Sequence, residues 1–176
     1  IPLFAVKEDP SPTAVPAIEE IVPEMELDIE KTSNKGDFNN FLDPGNPLVK
    51  QIATRVATYG CDSRKICQAK AEYYFVRDNL VYVSETDDYI QSAEEVLATR
   101  GGDCDDHAVL LANLMQAIGI PTQFVHVPGH VFIQIYIEDA PNKYKKDRWI
   151  MLDPTCKSCE FGEVMWKYRD AEVRFS

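Results

Sequence analysis

The chain has 176 residues, 18 of them basic and 29 acidic, so its formal net charge is −11. This acidic balance disfavours nucleic acid as a partner. A composition of 45% hydrophobic and 27% charged residues excludes both a wholly disordered chain and a disulfide scaffold without a core. The longest nearly continuous apolar stretch, residues 108–120, is shorter than the roughly 20 residues that a bilayer span needs. We therefore expect a globular protein without a membrane-spanning helix in this sequence.

Residues 1–46 differ in composition from the rest of the chain. They contain ten acidic residues, three lysines and six prolines. Proline removes a backbone donor and disfavours helix at the residue before it. We expect an extended acidic arm or linker over residues 1–46, followed by a domain over residues 47–176. Because the first residue is Ile1 rather than Met, we also expect that an upstream segment once held a signal or a membrane anchor.

The first half of the domain shows helical patterns interrupted by one short strand. Apolar residues recur at helical spacing, and capping residues precede them. The last helix of this half begins at a capping box, in which a serine is followed three residues later by glutamate. The predicted elements are a helix at 47–57 ended by Gly60, a helix from Asp62 or Ser63 to about Asp78, a strand at 80–83 and a helix opened by Ser92–Glu95.

The second half contains the most apolar helix and then three strands. Apolar residues lie on almost every face of the helix predicted over residues 105–118, which places it inside the domain. After Gly119 and Pro121 the pattern changes to the alternation typical of strands. Strands are predicted at 122–127, 131–137 and 149–153. Three strands without an intervening helix imply an antiparallel sheet, so the predicted fold class is α+β.

Cys104 stands between a glycine pair and the start of the buried helix. A thiol at a helix N-terminus faces free backbone N–H groups and the positive end of the helix dipole, which favour the thiolate. The dipole contributes roughly 0.3–1 kcal/mol, less than the roughly 1.4 kcal/mol of one pKa unit. Asp103, Asp105 and Asp106 oppose it. An active thiol at this position therefore needs a neighbouring imidazole to take its proton.

Three histidines are candidates for that base. His130 begins one strand and Asp153 ends another. If the two strands pair antiparallel with His130 directly opposite Asp153, the carboxylate can hold one ring nitrogen and leave the other for the sulfur. His107 shares the helix face of Cys104 and either contacts the thiol or caps a local hydrogen bond. We expect His126, in an apolar strand, to be a satisfied core histidine.

Three sequence blocks, around Cys104, His130 and Asp153, resemble the core of the transglutaminase-like superfamily in its prokaryotic form. They read Gly-Gly-Asp-Cys-Asp-Asp-His, Gly-His-Val and Leu-Asp-Pro-Thr, and the resemblance covers about residues 63–155. It implies a papain-like fold in which Cys104, His130 and Asp153 form a catalytic triad and the cysteine accepts an acyl group. The superfamily includes cross-linking enzymes, cysteine proteases, amidases and inactive members, so the resemblance does not choose the reaction.

One departure from the family pattern concerns the oxyanion donor. Animal transglutaminases have tryptophan after the cysteine, whereas this chain has Asp105, and its first tryptophan is Trp149. An upstream indole donor is therefore absent, which favours hydrolysis over cross-linking. The remaining candidate donors are the backbone N–H of Cys104 and the side chain of Gln91.

The acidic residues and the other cysteines have structural interpretations. Asp103 and Asp106 suit capping positions of the helix, and the spacing of the three aspartates does not match a calcium loop, so we expect neither a metal nor a cofactor. Two local disulfides, a four-thiolate zinc site and reduced thiols are all open for the remaining cysteines. Disulfides are favoured, which in turn favours an oxidising compartment. These cysteines are Cys61, Cys67, Cys156 and Cys159.

The sequence thus predicts an extracellular thiol enzyme, either free or anchored on the outer face of a membrane. It would act on amide bonds of a protein or peptide substrate through an acyl-enzyme on Cys104, as a protease, an amidase or a glutamine acyltransferase. His130 would serve as base and then acid, and Asp153 would orient it. The alternative is a non-catalytic interaction domain that binds a protein partner and buries its thiol.

Overall fold

The structure is a computed structural model that describes residues 6–31, 34, 36–85 and 89–176. It has the predicted α+β class, with the helices mostly first and an antiparallel sheet after them. The helices are α1 Ile18–Ile21, α2 Pro47–Tyr59, α3 Lys65–Asn79, α4 Ala93–Thr99 and α5 Cys104–Ala117, and the strands are β1 Val81–Tyr82, β2 Gly101–Gly102, β3 Thr122–Val127, β4 His130–Ile135, β5 Lys145–Lys146, β6 Trp149–Leu152 and β7 Arg174–Phe175.

The helix boundaries follow from capping side chains. The Asn46 side chain accepts hydrogen bonds from two backbone N–H groups at the start of α2, and Ser92 forms the predicted capping box with Glu95 at the start of α4. Asp103 forms a second capping box with Asp106, so α5 begins at Cys104. In the described part of the chain, every helix is too short or too polar to cross a bilayer.

The five-stranded sheet has the order β5-β6-β4-β3-β7, and all its neighbours are antiparallel. The predicted register between β4 and β6 is wrong by two residues. Ile133 pairs with Leu152, so extending the ladder by one position sets Asp153 opposite Phe132 rather than His130. An even shift keeps every side chain on its predicted face, because side chains alternate with a period of two. His130 and Asp153 are therefore diagonal neighbours on the same face.

The helix α5 lies in the core, as its uniformly apolar surface predicts. It packs against α2, α3 and α4 and against strands β3 and β4, and seven of its side chains are fully buried apolar or small residues of one cluster. A smaller cluster around Val125, Phe132 and Val164 covers the other face of the sheet, where the segment after residue 164 packs. The start of α5 is thus held by packing from several directions.

The N-terminal segment is largely extended, but it lies against the domain. Ile18, Ile21 and Val22 are buried in the main core. The Asp9 carboxylate pairs with the buried Lys70 ammonium at 2.6 Å, and although burial opposes ionisation, hydrogen bonds from lysines lower the pKa of Asp9 to about 2. The domain boundary after residue 46 stays a prediction, and residues 1–5, 32, 33 and 35 of the arm lie outside the described residues.

Glu72 in α3 is fully buried, and neither of its carboxylate oxygens has a hydrogen-bond partner within the described residues. Burial raises the pKa of Glu72 well above its ordinary value of 4.5. The folded protein therefore holds this carboxyl neutral, whereas the unfolded chain ionises it as the pH rises past that ordinary value. The contribution to stability is present at low pH and is lost as the pH rises toward the folded-state pKa.

The unfolding free energy of the wild type should decrease between about pH 4 and about pH 7 because Glu72 resists ionisation in the folded protein. We expect this decrease to be smaller in Glu72→Gln by roughly 1–3 kcal/mol. Urea denaturation at both pH values measures it, with the exposed Glu24→Gln as the matched control. An equal pH dependence in the wild type and the Glu72 variant would contradict a neutral buried carboxyl.

Candidate active site

The turn that carries Cys104 is fixed by the buried carboxylate of Asp106. Its Oδ2 accepts the backbone N–H of Asp103 at 3.1 Å, and its Oδ1 accepts the backbone N–H of Gln91 at 2.8 Å. A Cβ atom at Gly102 would lie 2.6 Å from the Cβ of Asp106, so only glycine fits between this carboxylate and the chain. The glycine before the capping box therefore lets Cys104 begin the helix in a single defined position.

The side chain of Gln91 helps to hold Asp106 in place. Its side-chain amide donates to Gly101 O and to Asp106 Oδ2, both at 3.0 Å, and its oxygen accepts from Thr99 at 2.8 Å. Both amide N–H groups are thus committed inside the protein. The expectation that Gln91 donates to an oxyanion is wrong, because the structure uses this amide to hold Asp106 and the glycine strand.

The imidazole of His130 is hydrogen-bonded to the carboxylate of Asp153, with 3.0 Å between Nε2 and Oδ2. A carboxylate only accepts, so Nε2 carries the proton and Nδ1 is left as the basic nitrogen. The His130 side chain is 7% exposed and that of Asp153 is fully buried. The diagonal register thus still joins the two residues that the sequence predicted to pair.

The turn after β6 holds Asp153 in place. The hydroxyl and backbone N–H of Thr155 both donate to Asp153 Oδ1, and the Tyr73 hydroxyl hydrogen-bonds Asp153 O and Cys159 O. The disulfide Cys156–Cys159 closes the same turn. Both carboxylate oxygens of Asp153 therefore have fixed partners.

The second disulfide joins Cys61 to Cys67 at the start of α3. Both local disulfides therefore form as favoured from the sequence, and the four sulfurs are not assembled into a zinc site. Cys104 is the free thiol of the chain.

The other two histidines have local partners. His107 Nδ1 lies 2.7 Å from Asp103 O, which requires the ring to donate from Nδ1, and burial lowers the pKa of His107 to about 4. His126 Nε2 lies 2.7 Å from the Ser176 hydroxyl, and its ring packs edge-on against Phe38. His107 thus serves the helix cap, whereas His126 is partly exposed rather than a core residue.

Cys104 and His130 line one cleft of about 330 Å³. The N-terminal segment supplies part of its wall through Gly36 and Phe38, and the sheet supplies His126 and Arg174. A larger cavity of about 580 Å³ lies elsewhere, between Val6–Glu8 and the start of α3, and contains none of the predicted site residues. The chemistry of the side chains, rather than cavity size, therefore identifies the smaller cleft as the candidate site.

The electrostatic environment of Cys104 keeps the resting thiol protonated. Burial and the negative charge of Asp105 raise the pKa of Cys104 to about 12, although a hydrogen bond from the Val131 backbone N–H favours the thiolate. The thiol donates to Asp105 Oδ1 over 3.6 Å. The helix terminus therefore does not ionise the sulfur, and an active thiol at this position would need a base to take its proton.

The aspartates around Cys104 belong to the cap more than to a metal centre. Ligand atoms of Asp103, Cys104 and Asp105 lie within 4.8 Å of one another. However, Asp103 Oδ1 already accepts the backbone N–H groups of Asp105 and Asp106. Burial and its acidic neighbours raise the pKa of Asp103 to about 6. The expectation of a metal-free site stays a prediction.

Tyr168 is a site residue that the sequence analysis missed. Its ring stacks on the His130 imidazole with 4.7 Å between centroids and an interplanar angle of 13°. It lies in the short 3₁₀ helix Trp166–Tyr168, far from the three motif blocks. No local pattern marks it, because the contact depends on how the C-terminal segment packs against the sheet.

We expect Asp105→Asn to increase the alkylation rate of Cys104 by iodoacetamide at neutral pH. Removing the nearest negative charge lowers the thiol pKa, and a shift of one unit multiplies the thiolate fraction about tenfold. The measurement follows the alkylated mass against time, with the exposed Asp139→Asn as control. The four disulfide-bonded cysteines do not compete. Equal rates in the two variants would show that Asp105 does not control the thiol.

Comparison with known proteins agrees with the three motif blocks. The family model of the transglutaminase-like superfamily matches residues 50–154, more than half of the chain. No curated protein matches the sequence. A solved structure from Cytophaga hutchinsonii, described as a "Putative Cysteine Protease", is similar with a TM-score of 0.49 and 21% identity, over 80% of this chain and 48% of that one. On the strength of the family model and the motif residues within it, this chain belongs to the transglutaminase-like superfamily.

Proposed function

We propose that this protein is a thiol enzyme that attacks amide bonds of proteins or peptides and forms an acyl-enzyme on Cys104. The observation that carries the proposal is the His130–Asp153 hydrogen bond of 3.0 Å beside the cleft that Cys104 shares with His130. A nucleophile, a base and an orienting carboxylate are the components of acyl transfer by a triad.

In the acylation step, His130 Nδ1 takes the proton of the Cys104 thiol as the sulfur attacks the amide carbon. The resulting tetrahedral intermediate carries its negative charge on the former carbonyl oxygen. The C–N bond then breaks, and the protonated His130 gives its proton to the departing amine. Asp153 stabilises the imidazolium during this step because its carboxylate remains bonded to Nε2.

The second step releases the acyl group from the sulfur. His130 takes a proton from water or from an amine, which attacks the thioester carbon, and the proton returns to the sulfur as the C–S bond breaks. Water gives hydrolysis and an amine gives transamidation. The missing indole favours hydrolysis, and the backbone N–H of Cys104, at the first position of α5, is the oxyanion donor that we assign.

The two disulfides favour an oxidising, extracellular type of environment for this activity. We propose that the enzyme acts outside the cell or on the outer face of a membrane. Its substrate would then be a protein or peptide exposed in that compartment.

A non-catalytic interaction domain is the second candidate function. The burial and the acidic neighbour that raise the pKa of the Cys104 thiol are the observations on its side. Such a domain would keep the fold and the His130–Asp153 pair without turning over any amide.

We expect the wild type to cleave, deamidate or aminate a test peptide, and Cys104→Ala to have no activity. Asp153→Asn and His130→Ala lower kcat by about 10²- to 10⁴-fold, because proton transfer by a positioned group supplies that factor. Mass spectrometry of oxidised insulin B chain, incubated with and without dansylcadaverine, separates cleavage, deamidation and amine incorporation. A Cys104→Ala variant with full activity would overturn the proposal, and an inert wild type whose thiol reacts no faster than a model thiol would favour the interaction domain.

A second prediction concerns the stacked ring of Tyr168. We expect Tyr168→Ala to lower kcat by about two- to tenfold with a smaller change in KM, since an aromatic pair contributes roughly 0.5–1.5 kcal/mol. Tyr168→Phe keeps the stacked ring and restores the rate. A loss of equal size in both variants would indicate that the hydroxyl, rather than the stacking on His130, is the important group.

A further inference from the structure

The strand β1 pairs with β2 on one side, and its other edge has no partner strand among the described residues. The backbone N–H groups of Val81 and Val83 donate to Arg100 O and Gly102 O, so both residues direct their hydrogen-bonding groups toward β2. Successive residues of a strand direct these groups to opposite sides. The N–H and C=O of Tyr82, between them, therefore point to the open edge.

This edge is unpaired and apolar within the part of the chain that the structure describes. Neither backbone group of Tyr82 has a hydrogen-bond partner among those residues. The side chains of Val81, Tyr82 and Val83 are 65%, 51% and 48% exposed. Proteins ordinarily protect an open edge with charge, proline or a covering loop, because such an edge readily pairs with another strand. An uncharged open edge of this kind indicates a place for an added strand.

The edge lies beside the nucleophile. Tyr82 pairs with Gly102, two residues before Cys104, and its ring centroid is 6.1 Å from that of His107 in the first turn of α5. A Cβ atom at Gly101 would lie 2.7 Å from Val81 O, so glycine is what lets β1 approach the Cys104 turn this closely. Burial and the negative charges of Asp103 and Asp105 raise the pKa of the Tyr82 hydroxyl, which agrees with this proximity.

We propose that the β1 edge binds the extended backbone of a polypeptide substrate and delivers its amide to Cys104. The inference rests on the proposed function and adds the way in which the substrate is held, through its extended backbone. One substrate residue would accept a hydrogen bond from Tyr82 N–H and donate one to Tyr82 C=O, as an added strand does. Backbone pairing of this kind recognises an extended chain whatever its side chains, so short amides without a peptide backbone are poor substrates. Continuity of the edge with the Cys104 turn favours a substrate over a second copy of this chain.

The test compares two variants at the same position, Tyr82→Pro and Tyr82→Ala. Both remove the phenol, but only proline removes the backbone N–H, and it suits an edge position whose N–H faces solvent. The two rates to be measured are turnover of oxidised insulin B chain and acylation by p-nitrophenyl acetate, which has no peptide backbone. We expect the ratio of peptide rate to ester rate to be about 3- to 10-fold lower in Tyr82→Pro than in Tyr82→Ala, the effect of one lost hydrogen bond. An equal ratio in the two variants overturns the proposal while leaving the proposed function intact.

A second measurement needs neither turnover nor a proline variant. Hydrogen exchange of the Tyr82 amide is followed in Cys104→Ala with saturating insulin B chain, and we expect it to slow at least about tenfold, as for a newly hydrogen-bonded amide. Unchanged exchange of this amide in the complex overturns the proposal even if the enzyme is active. The exchange is also measured without peptide at several protein concentrations. If it slows as the protein concentration rises, and analytical ultracentrifugation shows dimers, the edge binds a second copy of this chain and the proposal is overturned as well.

Discussion

The arrangement of the candidate site depends on one buried carboxylate. Asp106 receives the backbone N–H groups of Asp103 and Gln91 and the Gln91 side-chain amide, and it fills the space that the missing side chain of Gly102 leaves. A buried acceptor with several fixed donors holds a turn far more firmly than exposed contacts would. The hydrogen bonds to Asp106 therefore determine the position of the Cys104 sulfur, and the helix dipole contributes little to it.

The acidic environment of Cys104 determines the protonation state of the thiol at rest. Helix termini favour thiolates, yet burial and Asp105 raise the pKa of Cys104 to about 12. The resting site therefore avoids a permanently charged sulfur in a partly buried cleft. In the proposed mechanism, activation of the thiol depends on the imidazole whose Nε2 is held by Asp153.

Two parts of the chain outside the motif blocks contribute to the candidate site. The N-terminal segment brings Gly36 and Phe38 to the wall of the cleft, and the C-terminal segment stacks Tyr168 on His130. The central helix and the sheet hold the candidate catalytic residues, while these peripheral segments supply contacts around them. Variation in such peripheral segments is a route by which one fold can serve different functions.

The sequence by itself determined most of the elements and named the candidate site residues. Periodicity predicted α2, α5 and β3 closely, the capping residues placed Cys104 at a helix start, and the motif blocks identified His130 and Asp153. These are local properties that depend on the spacing and type of neighbouring residues. Only the tertiary structure decided three other features. These are the register of β4 against β6, the hydrogen bonds that occupy the Gln91 amide, and the stacking of Tyr168 on His130. Each depends on which distant segments meet, and a sequence of hydrophobic and polar residues leaves two registers of the same parity equally acceptable.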